Sequence, residues 1–270
     1  MVSLILTKEL AQTIEQSEID VLHSRLMAIQ AIEGNQMGVD IQRFGNATAF
    51  SVKNIPGPSF NTVKGLTDGD EQFVDQLIEF YTSREIPVRF ELTPAHTSPD
   101  LLAHLQQAGF YQSDFHTSLY GSPIQNSVAV DERITIRRLE SYEFDLFAEI
   151  YAQGFQMPTF LQSGIAQNNA ILHGNDHWNF YLASVNDGPA GIGVLFVKGG
   201  IATLAAAATV PHLRNKGVQR ALIQQRIQHA TMLHSRLIVG QAKFGSVSQN
   251  NMERAGLKIA YTKAIWVRQY

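Results

Sequence analysis

One stretch, residues 201–222, limits what this chain can fold into more than any other. Its pattern predicts an apolar strand, a turn set by Pro211, a short loop that contains Gly217, and then a helix. A strand that enters a helix through a short loop leaves the first helical N–H groups without partners, and the helix dipole adds partial positive charge there. Such an end binds phosphate or pyrophosphate. Because Gly217 has no Cβ, its backbone can approach an anion closely.

Three basic residues, Arg214, Lys216 and Arg220, surround this glycine and favour an anion-binding site. The spacing is not that of a P-loop, which needs Gly-Lys-Ser/Thr after a longer glycine-rich run, nor that of a dinucleotide loop, which needs three spaced glycines. A β-turn followed by an amphipathic helix with solvated basic residues is the alternative interpretation of the same pattern.

Two motifs resemble those of a known family. The run from Val210 to Ala221 resembles motif A of the GNAT N-acetyltransferase superfamily, Gln/Arg-x-x-Gly-x-Gly/Ala, often preceded by a valine and a proline. Arg214 and Gly217 match it, and Gln219 stands where a second small residue is usual. The run from Ser248 to Leu257 is similar to motif B, in which a Ser and an Asn precede a helix that ends in a glycine and an apolar residue.

This resemblance implies an α/β fold with a mixed α+β sheet and acetyl-CoA as cosubstrate. The pyrophosphate would lie on the N–H groups of the loop, and the pantetheine arm would pair with the strand before it. The residues that the resemblance places at the cofactor are Ala208, Thr209, Val210, Arg214, Asn215, Lys216, Gly217, Val218, Gln219, Arg220 and Asn251.

The two halves of the chain share an order of predicted elements, and each has a short helix that ends in Ala-Gly before a closing strand. We therefore predict two GNAT-like lobes in tandem, residues 1–122 and 133–270, although any helix-Gly-strand junction looks similar. In the first lobe the place of motif A is taken by Leu66–Glu71, which contains three carboxylates. Like charges would repel a pyrophosphate there, so this lobe is predicted to be degenerate and to bind no CoA.

Composition narrows the function classes. The chain has 270 residues, a net charge of -3 and no cysteine, which excludes disulfides, thiolate metal sites and a cysteine nucleophile. Residues 212–270 contain ten Lys/Arg and one acid, which suits nucleic acid or an anionic cofactor. We favour the cofactor, because the basic residues are scattered without interleaved aromatics, and we predict no nucleic-acid partner.

Localisation is predicted from two apolar segments. Val2–Leu6 is too short for the core of a signal peptide. The window Ala190–Val210 is interrupted by Lys198–Gly200, which predicts a hairpin and not a membrane span. We expect a cytoplasmic protein without membrane contact.

The reaction implied by the resemblance is attack of an amine on the thioester. Many relatives use a Glu on the central strand and a Tyr in motif B, but this strand has no Glu and Met252 stands near the tyrosine position. Glu149, Tyr151, Tyr181 and the terminal carboxylate of Tyr270 are candidates for proton transfer, and none is assigned as catalytic.

The leading hypothesis is N-acetyl transfer to a small-molecule or protein amine, and the alternative is a CoA-binding sensor or scaffold without turnover. The acceptor and the oligomeric state are not indicated, although Phe155–Phe160 are candidates for lining an acceptor site. The small residues Ala205–Ala208 would leave room for a thioester arm, or they reflect tight packing. The segment His173–His177 predicts a turn and no metal site.

Overall fold

A computed structural model describes residues 4–55, 57–123 and 131–268 of this mixed α/β chain. The helices of the described residues are α1 (Lys8–Gln30), α2 (Val74–Thr82), α3 (Pro99–Gln107), α4 (Phe144–Phe155), α5 (Gln162–Ala170), α6 (Val218–Met232) and α7 (Val247–Arg254). The strands are β1 (Val39–Phe44), β2 (Ala47–Val52), β3 (Thr62–Lys64), β4 (Arg89–Leu92), β5 (Phe110–Gly121), β6 (Ile134–Arg138), β7 (Trp178–Val185), β8 (Gly188–Lys198), β9 (Ile201–Thr209), β10 (Leu237–Lys243) and β11 (Lys258–Arg268). The predicted fold class, α/β with a mixed sheet, is confirmed.

Contacts divide the chain into two compact units. The N-terminal unit comprises residues 5–118, 242–244 and 259 onward, and the C-terminal unit comprises most of residues 119–258. The division is not a single cut along the sequence, since most of β11 belongs to the N-terminal unit. The predicted lobe boundaries, 1–122 and 133–270, stay a prediction.

In the N-terminal unit the strand order is β1-β2-β3-β4-β11-β5. Strands β3 and β4 run parallel, whereas the pairs β1/β2, β2/β3 and β4/β11 are antiparallel. Its apolar core contains Phe90, Phe110 and Tyr81, whose hydroxyl donates to the carbonyl of Phe50 at 2.8 Å. Burial of these rings against α2 and α3 is the main stabilising term for this unit.

In the C-terminal unit the strand order is β10-β9-β8-β7-β6. Strands β9 and β10 are parallel, and the other neighbouring pairs are antiparallel. Successive side chains of β7 point to opposite faces. Phe180 packs on Phe147 of α4, and Tyr181 bonds to His229 of α6, so α4 and α6 cover opposite faces of these strands.

Glycines on β8 bring α6 close to the sheet. A Cβ built at Gly191 would lie 2.8 Å from the carbonyl oxygen of Ala208 and 2.9 Å from Cγ1 of Val218, the first residue of α6. Real side chains do not tolerate such distances, so only glycine permits this approach. The N-terminus of α6 is therefore held directly over the end of β9.

Candidate functional site

Strand β9 leaves its parallel partner halfway along its length. β9 and β10 pair from Ile201↔Leu237 to Leu204↔Gly240, and beyond Leu204 β9 pairs only with β8. The N–H and C=O groups on the other side of residues 205–209, which we call the open edge of β9, therefore have no strand partner among the residues that the structure describes. Buried backbone groups need partners, and ligands of α/β folds bind beyond the carboxyl ends of parallel strands. This edge is a candidate binding surface.

A β-bulge marks the same point of β9. Val194 pairs with Ala206 and Leu195 pairs with Leu204, which leaves Ala205 as an extra residue. An extra residue bends a strand and increases its local twist. The bulge comes immediately after Leu204, the last residue of β9 that pairs with β10.

The loop after β9 leads directly into the N-terminus of α6. Asn215 has a φ of 62° and Gly217 a φ of 85°, and the helix begins at Val218 with no side chain capping it. Residues 214–217 are exposed. The first N–H groups of α6 thus face solvent with the positive end of the dipole. A Cβ built at Gly217 would meet only Ile134, at 3.5 Å. Glycine is therefore favoured here by the positive φ and not by a lack of space.

The three basic residues near this loop have different roles. Arg214 donates from Nη2 to the carbonyl of Gly154 at 2.7 Å, and this bond ties the loop to the last turn of α4. Lys216 and Arg220 are exposed, and neither forms an ion pair within the described part of the chain. Two cations therefore remain available beside the helix N-terminus.

The second motif contacts the first. The side-chain amide of Asn251 donates to Oε1 of Gln219 at 2.7 Å, and the amide of Gln219 donates to the hydroxyl of Ser248 at 3.3 Å. These bonds join the N-terminal turns of α6 and α7. Asn251 contacts Gln219 in this structure, and its predicted contact with the cofactor stays a prediction.

Met252 is buried at the point where β9 and β10 stop pairing. A Cβ built at Gly240 would lie 2.5 Å from the sulfur of Met252 and 3.6 Å from Leu204. The thioether therefore packs on Gly240, the last residue of β10 that pairs with β9. It has no proton to donate, in line with the missing tyrosine.

The candidates for proton transfer are not brought together. Glu149 is exposed on α4 and accepts a hydrogen bond from Gln153, and Tyr151 packs on Phe155 with ring centroids 4.6 Å apart. Tyr181 is buried under α6, on the opposite face from α4, with its hydroxyl bonded to Nδ1 of His229. Tyr270 lies outside the described residues.

Burial raises the pKa of the Tyr181 phenol. Burial and the nearby Arg138 lower the pKa of His229. At neutral pH both groups are therefore uncharged in this pair.

The segment around His173 and His177 forms turns, as predicted, and Nδ1 of His177 lies 2.7 Å from the carbonyl oxygen of Val197. Within residues 4–55, 57–123 and 131–268 no three His, Asp or Glu side chains converge as metal ligands would. Among the same residues no helix combines the length and apolar character needed to cross a bilayer.

No family model matches the sequence, and no curated protein is similar to it. Solved structures are nevertheless similar along most of its length. A GCN5-related N-acetyltransferase from Kribbella flavida aligns with a TM-score of 0.62 and 11% identity over 91% of this chain and 95% of its own. One from Sphaerobacter thermophilus aligns with a TM-score of 0.58 and 14% identity over 93% of both chains. The chain has the GNAT fold.

The tandem arrangement also has a structural counterpart. A tandem GNAT protein from the clavulanic acid biosynthesis pathway aligns with a TM-score of 0.53 and 12% identity over 70% of this chain and 66% of its own. The prediction of a tandem GNAT-like architecture is confirmed at the level of the fold. At 11–14% identity these likenesses concern the fold alone.

Proposed function

We propose that this protein transfers the acetyl group of acetyl-CoA to the amine of a small molecule or protein. One observation carries the proposal: the open edge of β9 leads straight into an uncapped helix N-terminus at Gly217. An extended arm and a pyrophosphate need these two features in this order. A strand without a partner can pair with the arm, and free helical N–H groups bind the phosphates.

The residues present fit such a cosubstrate. The N–H groups of Val218, Gln219 and Arg220 would hold the pyrophosphate, with Lys216 and the Arg220 side chain supplying positive charge. Residues 205–209 would hold the pantetheine arm. Ala205, Ala206 and Ala207 are only partly buried, which supports the interpretation that their small side chains leave room for the arm.

Ala208 supports the tight-packing interpretation instead. It is buried, and a Cβ built at Gly154 on α4 would lie only 2.6 Å from its Cβ. Both interpretations therefore apply to the alanine run. Residues 205–207 leave space near the bulge, and Ala208 is closely packed at the end of the run.

Acetyl-CoA supplies the activated thioester, and the chain supplies position and polarity. Holding an amine in line with a fixed acyl group converts a bimolecular step into an effectively unimolecular one. Backbone N–H groups of the open edge are suited to stabilise a developing oxyanion. No side chain of β9 is acidic, so proton removal from the amine is left to water or to a group on another element.

A CoA-binding sensor or scaffold is the second candidate. Met252 favours it, because a buried thioether occupies the position where a proton donor is expected. Turnover separates the two candidates. Release of free CoA thiol that depends on an added amine supports the transferase, whereas stoichiometric CoA binding without thiol release across a panel of small amines and amino-terminal peptides supports the sensor.

Titration calorimetry with CoA tests the site itself. Gly217→Asp forces a Cβ onto a positive-φ residue and places a carboxylate beside the phosphates, so we expect CoA affinity to fall at least tenfold. Gly199→Asp is the matched control, because Gly199 has a φ of 58°, has nothing within 4 Å of a built Cβ and lies in the β8–β9 turn. Unchanged CoA affinity in a folded Gly217→Asp variant would place the site elsewhere.

A further inference from the structure

Arg226 is a buried cation with which no carboxylate of the described residues pairs. It lies on α6 and is 2% exposed. Its donors reach three backbone carbonyls: Nε donates to Leu222 at 3.0 Å, and Nη1 donates to Val194 at 3.2 Å and to Ala206 at 3.0 Å. Burial lowers its pKa to about 10, so the guanidinium stays protonated at neutral pH. A buried charge needs a compensating role or a strong local reason.

The two sheet carbonyls belong to the bulge of β9. Val194 and Ala206 are opposite each other in the β8/β9 register, immediately beside the unpaired Ala205. A bulge disrupts the ladder hydrogen bonds locally, and buried carbonyls that lose ladder partners need other donors. A planar guanidinium supplies several donors in a fixed arrangement, so one side chain reaches both strands.

Gly193 makes room for this side chain. A Cβ built at Gly193 would lie 3.3 Å from Nε and 3.4 Å from Cδ of Arg226, and 3.2 Å from Leu222. These distances are at the tight end of real contacts. The bulge, the glycine and the arginine thus lie together in one local arrangement.

We propose that Arg226 is a positioning residue for the acetyl-CoA arm. By binding the carbonyls of Val194 and Ala206 it holds the bulge in place and keeps the open edge of β9 turned away from β10. It acts through the strand and touches no reacting atom. The inference rests on the proposed function, because only a ligand along β9 would depend on the open edge.

Loss of Arg226 would remove the one side chain that bonds to both of these carbonyls. Strand β9 can then recover hydrogen bonds by shifting its register or by closing toward β10, and both changes alter the open edge. The N-terminus of α6 lies two turns away from position 226 and is held independently by Gly191 and by the bond between Gln219 and Asn251. Loss of Arg226 should therefore affect binding of the pantetheine arm and binding of the phosphates differently.

Two ligands separate these responses. Acetyl-CoA has both the arm and the phosphates, whereas adenosine 3′,5′-bisphosphate has the nucleotide phosphates and no pantetheine. Calorimetric titrations with both ligands are made on the wild-type protein and on Arg226→Met, Arg226→Lys and Arg236→Met. Arg236 is exposed and provides the same substitution away from the bulge.

We expect Arg226→Met to weaken acetyl-CoA binding tenfold or more and to change the bisphosphate affinity by less than twofold. Arg226→Lys should lie between it and the wild type, since an ammonium still donates to a carbonyl, and Arg236→Met should change neither affinity. Should Arg226→Met fail to fold, Arg226→Gln, whose amide is too short to bridge both carbonyls, is judged by the same criterion.

Two results overturn the inference while leaving the proposed function intact: a folded position-226 variant that binds acetyl-CoA as the wild type does, or one that loses both ligands equally. A wild-type protein that binds neither ligand overturns the proposed function, and this inference with it.

Discussion

The ammonium nitrogen of Lys263 lies 2.5 Å from Oε2 of Glu18, 245 positions away in the sequence, and both side chains are 1% exposed. The same nitrogen lies 3.0 Å from Glu91, and Ser118 donates to the other oxygen of Glu18. Burial alone would lower the pKa of Lys263, but Glu18 and Glu91 raise it above its ordinary value. Strand β11 is thus joined to α1 and β4 by a buried ion network in the N-terminal unit.

Lys263→Met should destabilise the protein strongly. The substitution keeps the length of the side chain but leaves Glu18 and Glu91 buried without this cation, which costs about 3–5 kcal/mol in comparable buried pairs. The free energy of unfolding in urea measures the loss. Lys243→Met is the control, because among the described residues Lys243 forms one ion pair, an exposed one with Asp114 at 3.9 Å, and such pairs contribute about 0–1 kcal/mol. Equal urea midpoints for the two variants would contradict a stabilising role of the network.

Acid unfolding should depend on the same network. Burial alone would raise the pKa of Glu91, but Lys263, Lys64 and Arg89 hold it well below 4.5. A carboxyl with a depressed folded-state pKa adds stability above its unfolded-state pKa, and this stability is lost as the pH falls through the folded-state value. The wild type should therefore begin to unfold only below about pH 4.5, and Lys263→Met should begin at higher pH. Circular dichroism between pH 2 and 7 gives both midpoints; coincident curves would refute the coupling.

The N-terminal unit should bind no CoA, and a stoichiometry of one per chain is expected. Asp70, which is buried in the loop after β3, accepts hydrogen bonds from the backbone N–H groups of Thr67 at 3.0 Å and Asn46 at 3.2 Å. Its carboxylate already occupies N–H donors that an anion would need, and Asp68 and Glu71 add negative charge nearby. Calorimetry gives the number of sites, and two CoA per chain would show that this loop binds ligand after all.

Much of the fold follows from local patterns in the sequence. The sequence predicts a strand over Trp178–Val185 and a helix over Val247–Arg254, and β7 and α7 have these bounds. An apolar run between turns and a helix started by a capping serine are strong local signals. The sequence pattern does not predict strand β1, Val39–Phe44, because Asp40, Gln42 and Arg43 interrupt its apolar residues. Pairing with β2 stabilises this strand. The pairing of β11 with β4 in the N-terminal unit is also long-range, and no local signal in the sequence predicts it.

The same distinction applies to the candidate site. The sequence predicts the Gly217 loop because a glycine between a strand and a helix is a local signal. The bulge at Ala205 could not be predicted, since four successive alanines carry no mark of register. Arg226 was missed because a charge within an apolar helix pattern suggests a solvated residue, and its partners Val194 and Ala206 are 32 and 20 positions away. The Gly-x-Gly spacing on β8 was the one available signal.

The contact between α4 and β9 gives a further prediction. A Cβ at Gly154 would lie 2.6 Å from that of Ala208, so Gly154→Ala should push the helix from the strand and cost about 1–3 kcal/mol. Gly164→Ala is the control, because this position in α5 has nothing within 4 Å and alanine favours a helix by up to about 1 kcal/mol. Adding Ala208→Gly to Gly154→Ala should recover part of the loss. Urea unfolding of the variants tests this, and a Gly154→Ala variant as stable as the wild type would show that the contact is not tight.

Proton transfer should not depend on any single one of the three candidate side chains. Glu149→Gln, Tyr151→Phe and Tyr181→Phe should each retain substantial activity once an acceptor is known. Glu149 is exposed, Tyr151 stacks within an aromatic cluster, and Tyr181 is buried under α6 with a raised pKa and a bond to His229. These contacts single out none of the three as the acid or base, so positioning, which can supply about 7–11 kcal/mol, should dominate.

The measurement is the rate of CoA thiol release at saturating acetyl-CoA, with acetyl-CoA affinity determined for each variant by calorimetry. A dedicated acid or base contributes about 10²–10⁴-fold. Each single variant should therefore stay within a hundredfold of the wild type, because no one side chain carries the proton. Tyr181→Phe also removes the bond to His229, so its urea midpoint must be measured to separate a loss of stability from a loss of chemistry. A drop beyond a hundredfold in one stable variant with unchanged acetyl-CoA affinity would identify that side chain as the missing acid or base, and the transfer would then depend on it and not on positioning alone.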